Sequence, residues 1–140
     1  MRCLGLSWSD VVSQILVLSR EGRWDELMDF LVKRGIGIVS DNPCFVRRTF
    51  IVICVGDRVT VYYRFGAVTG VVAGFSMDGT SLLLIGCRGE RMCRVARPIS
   101  VYLPHVSSIA FKELSPFHES YGARMLMDFV GSPGGSDAEG

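Results

Sequence analysis

The sequence predicts a mainly β domain with flanking helices (α+β): a small, strongly bent barrel of five to six strands, an N-terminal helical hairpin and a C-terminal helix. Three observations lead there. Short apolar runs rich in Val, Ile, Leu, Tyr and Phe recur between Gly56 and Phe111, cut at short intervals by Gly, Asp and Pro, and runs of this length between turn residues are strands. Gly66, Gly70 and Gly74 interrupt one such run, where they permit bulges and sharp bending; short, bent, closely spaced strands suit a barrel better than a flat sheet. On either side, apolar residues recur at helical spacing instead. The boundaries expected are 1–44 for the helical hairpin and its turn, 45–113 for the barrel, 114–130 for the last helix and 131–140 for a disordered tail.

Ser7-Trp8-Ser9-Asp10 has the form of a capping box, with Leu6 and Val11 placed as a hydrophobic staple. Val11, Val12, Ile15, Leu16 and Leu18 mark one face of a helix that ends near Gly22. Trp24, Leu27, Met28 and Leu31 line a second helix, with Lys33 and Arg34 in its last turn and Gly35 past its end. This hairpin is expected to plug one end of the barrel or to bind a partner. Ile36 to Val39 reads as a short strand and Asp41-Asn42-Pro43 as a turn. Phe45 to Val55, β-branched and aromatic, reads as one strand, joined through Gly56-Asp57, a type II′ hairpin loop, to Arg58–Phe65. Val68 to Phe75 and Leu82 to Cys87 flank the Asp78-Gly79 turn. Met92 to Ala96 and Ile99 to Leu103 flank Arg97-Pro98, an edge bend. A tight turn over Pro104 to Ser107 leads to a closing strand, Ser108 to Phe111. Ser115 and Pro116 then fit the N-cap and first position of a helix striped by Phe117, Tyr121, Met125 and Phe129. Gly122 weakens that helix by ~1 kcal/mol relative to Ala. The final GSPGGSDAEG carries no apolar residue but Pro and Ala.

With 140 residues, 49% of them apolar, the chain has material for one core. No apolar run reaches the ~20 residues of a membrane-spanning helix. Met1-Arg2-Cys3-Leu4 leads to Asp10 without a small-residue cleavage site, so a soluble cytoplasmic protein with no membrane partner is expected. The five cysteines, 3, 44, 54, 87 and 93, are an odd number, which argues against a complete disulfide framework and for buried, inert thiols. Cys87 and Cys93 flank the Arg88-Gly89-Glu90-Arg91 turn, and a hairpin would bring them near each other. His105 and His118, far apart, do not complete a zinc site, and no metal or cofactor is expected. There is no phosphate-binding loop ending in Lys-Ser/Thr and no serine in a nucleophile elbow. The chain therefore reads as no enzyme.

Charge is unevenly spread. Residues 45–113 carry nine basic and four acidic groups, net +5, between flanks of net −1 (1–44) and −3 (114–140). Of 15 basic residues 13 are Arg, whose planar fork binds phosphate and stacks on bases. Arg88, Arg91, Arg94 and Arg97 form either a phosphate-contacting rim or an ordinary solvated hairpin. Tyr62, Tyr63 and Phe65 could each stack a base, worth ~1–3 kcal/mol. Strand alternation puts Tyr63 with Phe65 on one face and Tyr62 with Arg64 on the other, the latter being the better exposed candidates.

The stretch VTVYYRFGAVTGVVAGFSMDGTSLLLI resembles the first motif of the Sm-like (LSm) family, and VYLPHVSSIAF resembles its last two strands, joined by a single helical turn. The resemblance covers 56 of 140 residues, 56–111; other SH3-like small barrels share the pleat. It implies a five-stranded bent barrel that assembles edge to edge into rings and binds single-stranded RNA, often uridine-rich. The family's base-holding Asp-x-hydrophobic-Asn turn corresponds here to Ser76-Met77-Asp78-Gly79-Thr80-Ser81, without Asn, and its Arg-Gly to Pro104-His105. The barrel is thus expected to carry over and the uridine pocket not. The expected function is non-catalytic RNA binding by a homo-oligomer, through Tyr62, Arg64, Asp78, Arg88, Arg91, Arg94, Arg97 and His105. The alternative is a protein–protein interaction module, barrel plus helical hairpin, that holds no nucleic acid.

Overall fold

In the computed structural model, which describes residues 7–36, 42–46, 51–76, 78–89 and 95–122, two helices precede seven strands. Ser7 opens α1 (Trp8–Arg20): its Oγ accepts the Asp10 N–H, and the Asp10 carboxylate accepts the Ser7 N–H. Two otherwise orphan donors are satisfied this way. Gly22 (φ +68°) turns the chain into α2 (Trp24–Lys33) and Gly35 (φ +71°) ends it, each in the left-handed conformation that favours glycine after a helix. Val11, Ile15 and Leu18 of α1 and Trp24, Leu27 and Leu31 of α2 are buried in one core with the strand residues.

Strands β1 (Cys44–Val46) and β2 (Val52–Cys54) form a two-stranded sheet. Strands β3 (Arg58–Tyr63), β4 (Gly66–Phe75), β5 (Ser81–Arg88), β6 (Arg97–Tyr102) and β7 (Val106–Glu113) form an antiparallel sheet in the order β6-β5-β4-β3-β7. Val59 and Val61, Leu82 and Leu84, Ile99 and Val101 point inward at the period of two that a pleated strand dictates. The sheet bends where β4 slips against β5 between Val72 and Gly74, and β7 slips twice against β3. A 3₁₀ turn, Leu103–His105, carries the chain from one edge strand to the other.

The expected barrel is not closed. Closure needs the first and last strands of the order to bond to each other, and among the described residues β6 and β7 are opposite edges of an open sheet. The bulges supply curvature, but Pro98 removes a donor from β6, and Arg97, Pro98, Ser100 and Tyr102 face solvent. The class is α+β with an open sheet.

The expected single strand over Phe45–Val55 is instead a reversal. Cys44 pairs with Cys54 across the β1–β2 ladder, and the two form a disulfide with Cα atoms 3.9 Å apart. Cys87 is disulfide-bonded as well, so the expectation of inert thiols fails at all three positions; Cys93 lies outside the described residues. Nor is Gly56-Asp57 a hairpin loop. The Gly56 N–H and the Asp57 carbonyl bond to Val72 of β4, and β2 is paired with β1 rather than β3.

Among the described residues the expected C-terminal helix is reduced to one π-helical turn, His118–Gly122. Its continuation over 123–130, the tail 131–140, and parts of the expected elements at Leu6, Ile36–Val39 and Met92–Ala96 lie outside the described residues. Ser115 does not cap: its N–H donates to Asp57 Oδ1 (2.7 Å), and its Oγ is buried with no hydrogen-bond partner among the described residues. Packing holds this segment instead. Phe117 is fully buried and meets Trp24 edge-on, centroids 5.7 Å apart. Asp57, also fully buried, accepts the Cys54 N–H (2.9 Å) and the Ser115 N–H and lies 2.7 Å from His118 Nε2. One carboxylate thus ties β2, the start of β3 and the C-terminal turn together. Among the described residues no helix is long and apolar enough to cross a membrane.

Candidate nucleic-acid interface

Strand β5 ends at Arg88, opposite Val68 of β4. The next residue is fixed from both sides: the Gly89 N–H donates to Ala67 O (2.6 Å), and its carbonyl accepts Thr69 Oγ1 (2.8 Å), which lies 3.0 Å from Thr60 Oγ1. From this anchored backbone Arg88 Nη1 donates to Tyr63 Oη at 3.1 Å. Facing them, β6 ends in Tyr102 and the 3₁₀ turn ends in His105, and the two rings meet edge-on with centroids 4.9 Å apart. The four side chains border a cleft of 160 Å³ over the buried side chains of Val68, Ile99 and Val101. An apolar floor, two phenol rings, an imidazole and a guanidinium suit a flat heteroaromatic ring that carries an anion.

Of the residues expected to bind, Arg88 and His105 line this cleft and Tyr62, Arg64, Asp78 and Arg97 do not. Tyr62 is half-buried in β3, opposite Ala67 and Ser108. Arg64 sits in the β3–β4 turn with its guanidinium 5.5 Å from the Phe65 ring centroid. Phe65 is 86% exposed because the alternation stops where β3 ends, at Tyr63. Tyr62 and Tyr63 are both half-buried, so the expected division into a core pair and an exposed pair does not hold. Arg97 begins β6 opposite Gly86. Arg91 and Arg94 lie outside the described residues, and the four-arginine rim is seen only at Arg88 and Arg97. Tyr63, a stacking candidate ranked behind Tyr62, is the tyrosine of that pair that lines the cleft, and Tyr102 is the residue sequence reasoning missed. For Tyr102 a signal existed: Ile99 and Val101 are apolar, so the intervening Ser100 and Tyr102 must face outward.

Asp78 has a different task. Its Oδ1 accepts Ser76 Oγ (2.7 Å), Thr80 Oγ1 (2.7 Å) and the Thr80 N–H (3.0 Å). These bonds favour the carboxylate, Ser76 first, and lower its pKa to about 2. Asp78 therefore builds the β4–β5 turn, which meets the 3₁₀ turn where the Leu103 N–H donates to Thr80 O (2.7 Å), and an anion there repels phosphate. A depressed carboxylate stabilises the fold above its unfolded value of about 3.9, and that contribution is lost as pH falls through the folded value. NMR titration should show the Asp78 carboxyl carbon moving with a midpoint near 2, and Ser76→Ala should raise it. A midpoint near 4 in the parent would show that these bonds do not persist in solution.

Comparison of the chain with known protein families, with curated proteins and with solved structures finds no match. Away from the cleft, Cys54, Asp57 and His118 bring a sulfur, a carboxylate oxygen and an imidazole nitrogen within 4.8 Å of one another.

Proposed function

We propose that the protein binds single-stranded RNA without catalysis, seating one base in the Tyr63–Arg88–Tyr102–His105 cleft and holding an adjacent phosphate at Arg88. The observation that carries this reading is the meeting of Arg88 with three aromatic side chains over an apolar floor at an open sheet edge. A cavity of ~150 Å³ holds a benzene ring, so 160 Å³ suits one base ring. The net +5 over residues 45–113 draws the backbone toward it. Single strands fit such a site because unstacked bases can be presented to aromatic rings.

Fluorescence anisotropy with oligo-U and oligo-A tests this. Tyr102→Ala should weaken binding by the ~1–3 kcal/mol of one stacked base, roughly 5- to 150-fold. Arg88→Gln should weaken both ligands alike and flatten the slope of log affinity against log salt by about 0.7. If the parent binds no RNA at about 50 mM salt, the proposal fails and the interaction-module reading replaces it. We also propose self-association through β6 or β7, the two edges of the five-stranded sheet among the described residues. Light scattering should then give a mass above the 15.4 kDa of one chain, and a concentration-independent monomer overturns it.

A further inference from the structure

We infer that Cys44, Cys54, Asp57 and His118 form a zinc site when the Cys44–Cys54 disulfide is reduced. The four residues come from four places in the chain: the two cysteines from the β1–β2 ladder, Asp57 from the segment before β3, and His118 from the C-terminal turn. Cys54, Asp57 and His118 already place one donor atom each within 4.8 Å of the others. The Cys44 sulfur is bonded to that of Cys54 but stands outside this group, and it supplies the fourth donor once the bond opens and its side chain turns toward the other three. The set is S₂NO, which suits Zn²⁺ and is foreign to the oxygen-loving Ca²⁺ and Mg²⁺.

Burial supports a structural site. Cys54 and Asp57 have no exposed surface and Cys44 has 3%, whereas the His118 side chain is 19% exposed and marks the way in. The supporting shell is also present. Asp57 Oδ1 is held by the Ser115 N–H and Oδ2 by the Cys54 N–H, so the carboxylate is oriented at both oxygens, and Oδ2, which faces His118, is the ligand atom through its remaining lone pair. Between Asp57 and His118 the adjustment is small. Asp57 Oδ2 and His118 Nε2 lie 2.7 Å apart, and ligand atoms around tetrahedral zinc lie ~3.3 Å apart, so the half-buried imidazole backs toward solvent by ~0.6 Å.

The chemistry balances with a dithiol as reductant. Two electrons and two protons pass from the dithiol to the Cys44–Cys54 bond, giving two thiols, and the reductant closes its own disulfide. Zn²⁺ then binds the two sulfurs as thiolates and releases their two protons. The hydrogen that His118 Nε2 directs at Asp57 Oδ2 shifts to Nδ1, and the metal takes its place on Nε2. The same four residues are therefore closed by a covalent bond in an oxidising compartment and by a metal ion in a reducing one.

The test uses the full chain, refolded from the reduced, unfolded state with a phosphine present and Co²⁺ as the probe. One Co²⁺ per chain is expected, with the d–d bands of a tetrahedral site and charge transfer from two thiolates, and Zn²⁺ should displace it. The oxidised protein should take up none. Cys54→Ser and His118→Asn should each weaken binding by more than the ~10- to 100-fold that loss of a ligand's supporting hydrogen bond costs, whereas Cys87→Ser should leave the spectrum unchanged. Because the substitutions could impair folding, X-ray absorption of the zinc-loaded parent provides an independent count of two sulfur and two nitrogen or oxygen neighbours. Octahedral cobalt without charge transfer, equal uptake by the oxidised protein, a signal that depends on Cys87 but not Cys54, or a reduced chain that neither folds nor holds metal overturns the inference.

Discussion

Asp57→Ala should lower the stability of the oxidised protein by about 3–5 kcal/mol, because it strips several buried groups of their shared hydrogen-bond acceptor. The carboxylate is fully buried and collects the N–H groups of Cys54 and Ser115 together with His118 Nε2. Alanine leaves two backbone donors and an imidazole facing an apolar wall, each at ~1–3 kcal/mol. A domain with ~5–15 kcal/mol in total is then close to unfolded. Asp57→Asn should cost less, since its carbonyl oxygen still serves one donor. Urea denaturation with the disulfides intact measures both. A loss below ~1 kcal/mol for Asp57→Ala would show that water replaces the carboxylate.

The second large effect is expected at Gly86. A Cβ built there would lie 1.9 Å from Thr69 O and 2.5 Å from Gly70 Cα. These are backbone atoms of the neighbouring strand and cannot rotate away. Gly70 is Gly86's partner across the β4–β5 ladder, and a Cβ on it would meet Ile85 O at 2.7 Å. The two glycines let the strands approach where the sheet curves. Gly86→Ala should therefore force the ladder apart and cost ~4 kcal/mol or more, in the range reserved for overpacking of a core. Gly22→Ala is the control. Gly22 has open space around it and only an unfavourable φ of +68°, so about 1 kcal/mol is expected. Equal melting temperatures for the two variants would mean that β4 and β5 separate without penalty.

The locally encoded parts of this fold were legible. The capping box at Ser7 and Asp10, the glycines after α1 and α2, and the 3₁₀ turn at Pro104 all depend on residues within a few positions of one another. The failures share a different cause. Asp57 follows a glycine and reads as a surface turn; only donors 58 and 61 residues away, at Ser115 and His118, make its burial tolerable. The run Phe45–Val55 is β-prone throughout, and the pairing of Cys44 with Cys54 that reverses it is a tertiary fact. Bending was readable from Gly70 and Gly74, but whether β6 meets β7 is decided by edges distant in sequence. The cleft was half legible for the same reason. Arg88 and His105 carry obvious chemistry, whereas Tyr63 joins them only through the end of β3 and the bond from Arg88.

The bonds that converge on Asp57 also set an order of events as the chain is made. By Glu113 every strand among the described residues has been synthesised, yet Asp57 then has only the Cys54 N–H, and the place of Phe117 against Trp24 is vacant. The remaining partners arrive with Ser115, Phe117 and His118. Closing loops of about 60 residues is an entropically late step, and long-range closures of this kind slow folding. A nascent chain released at residue 113 would hold a bare carboxylate inside its core, whereas five more residues seal it. The last short turn thus works as a latch: amides at Cys54 and Ser115 should exchange hydrogen only when the whole domain opens, and co-translational folding should complete only after residue 118 clears the ribosome.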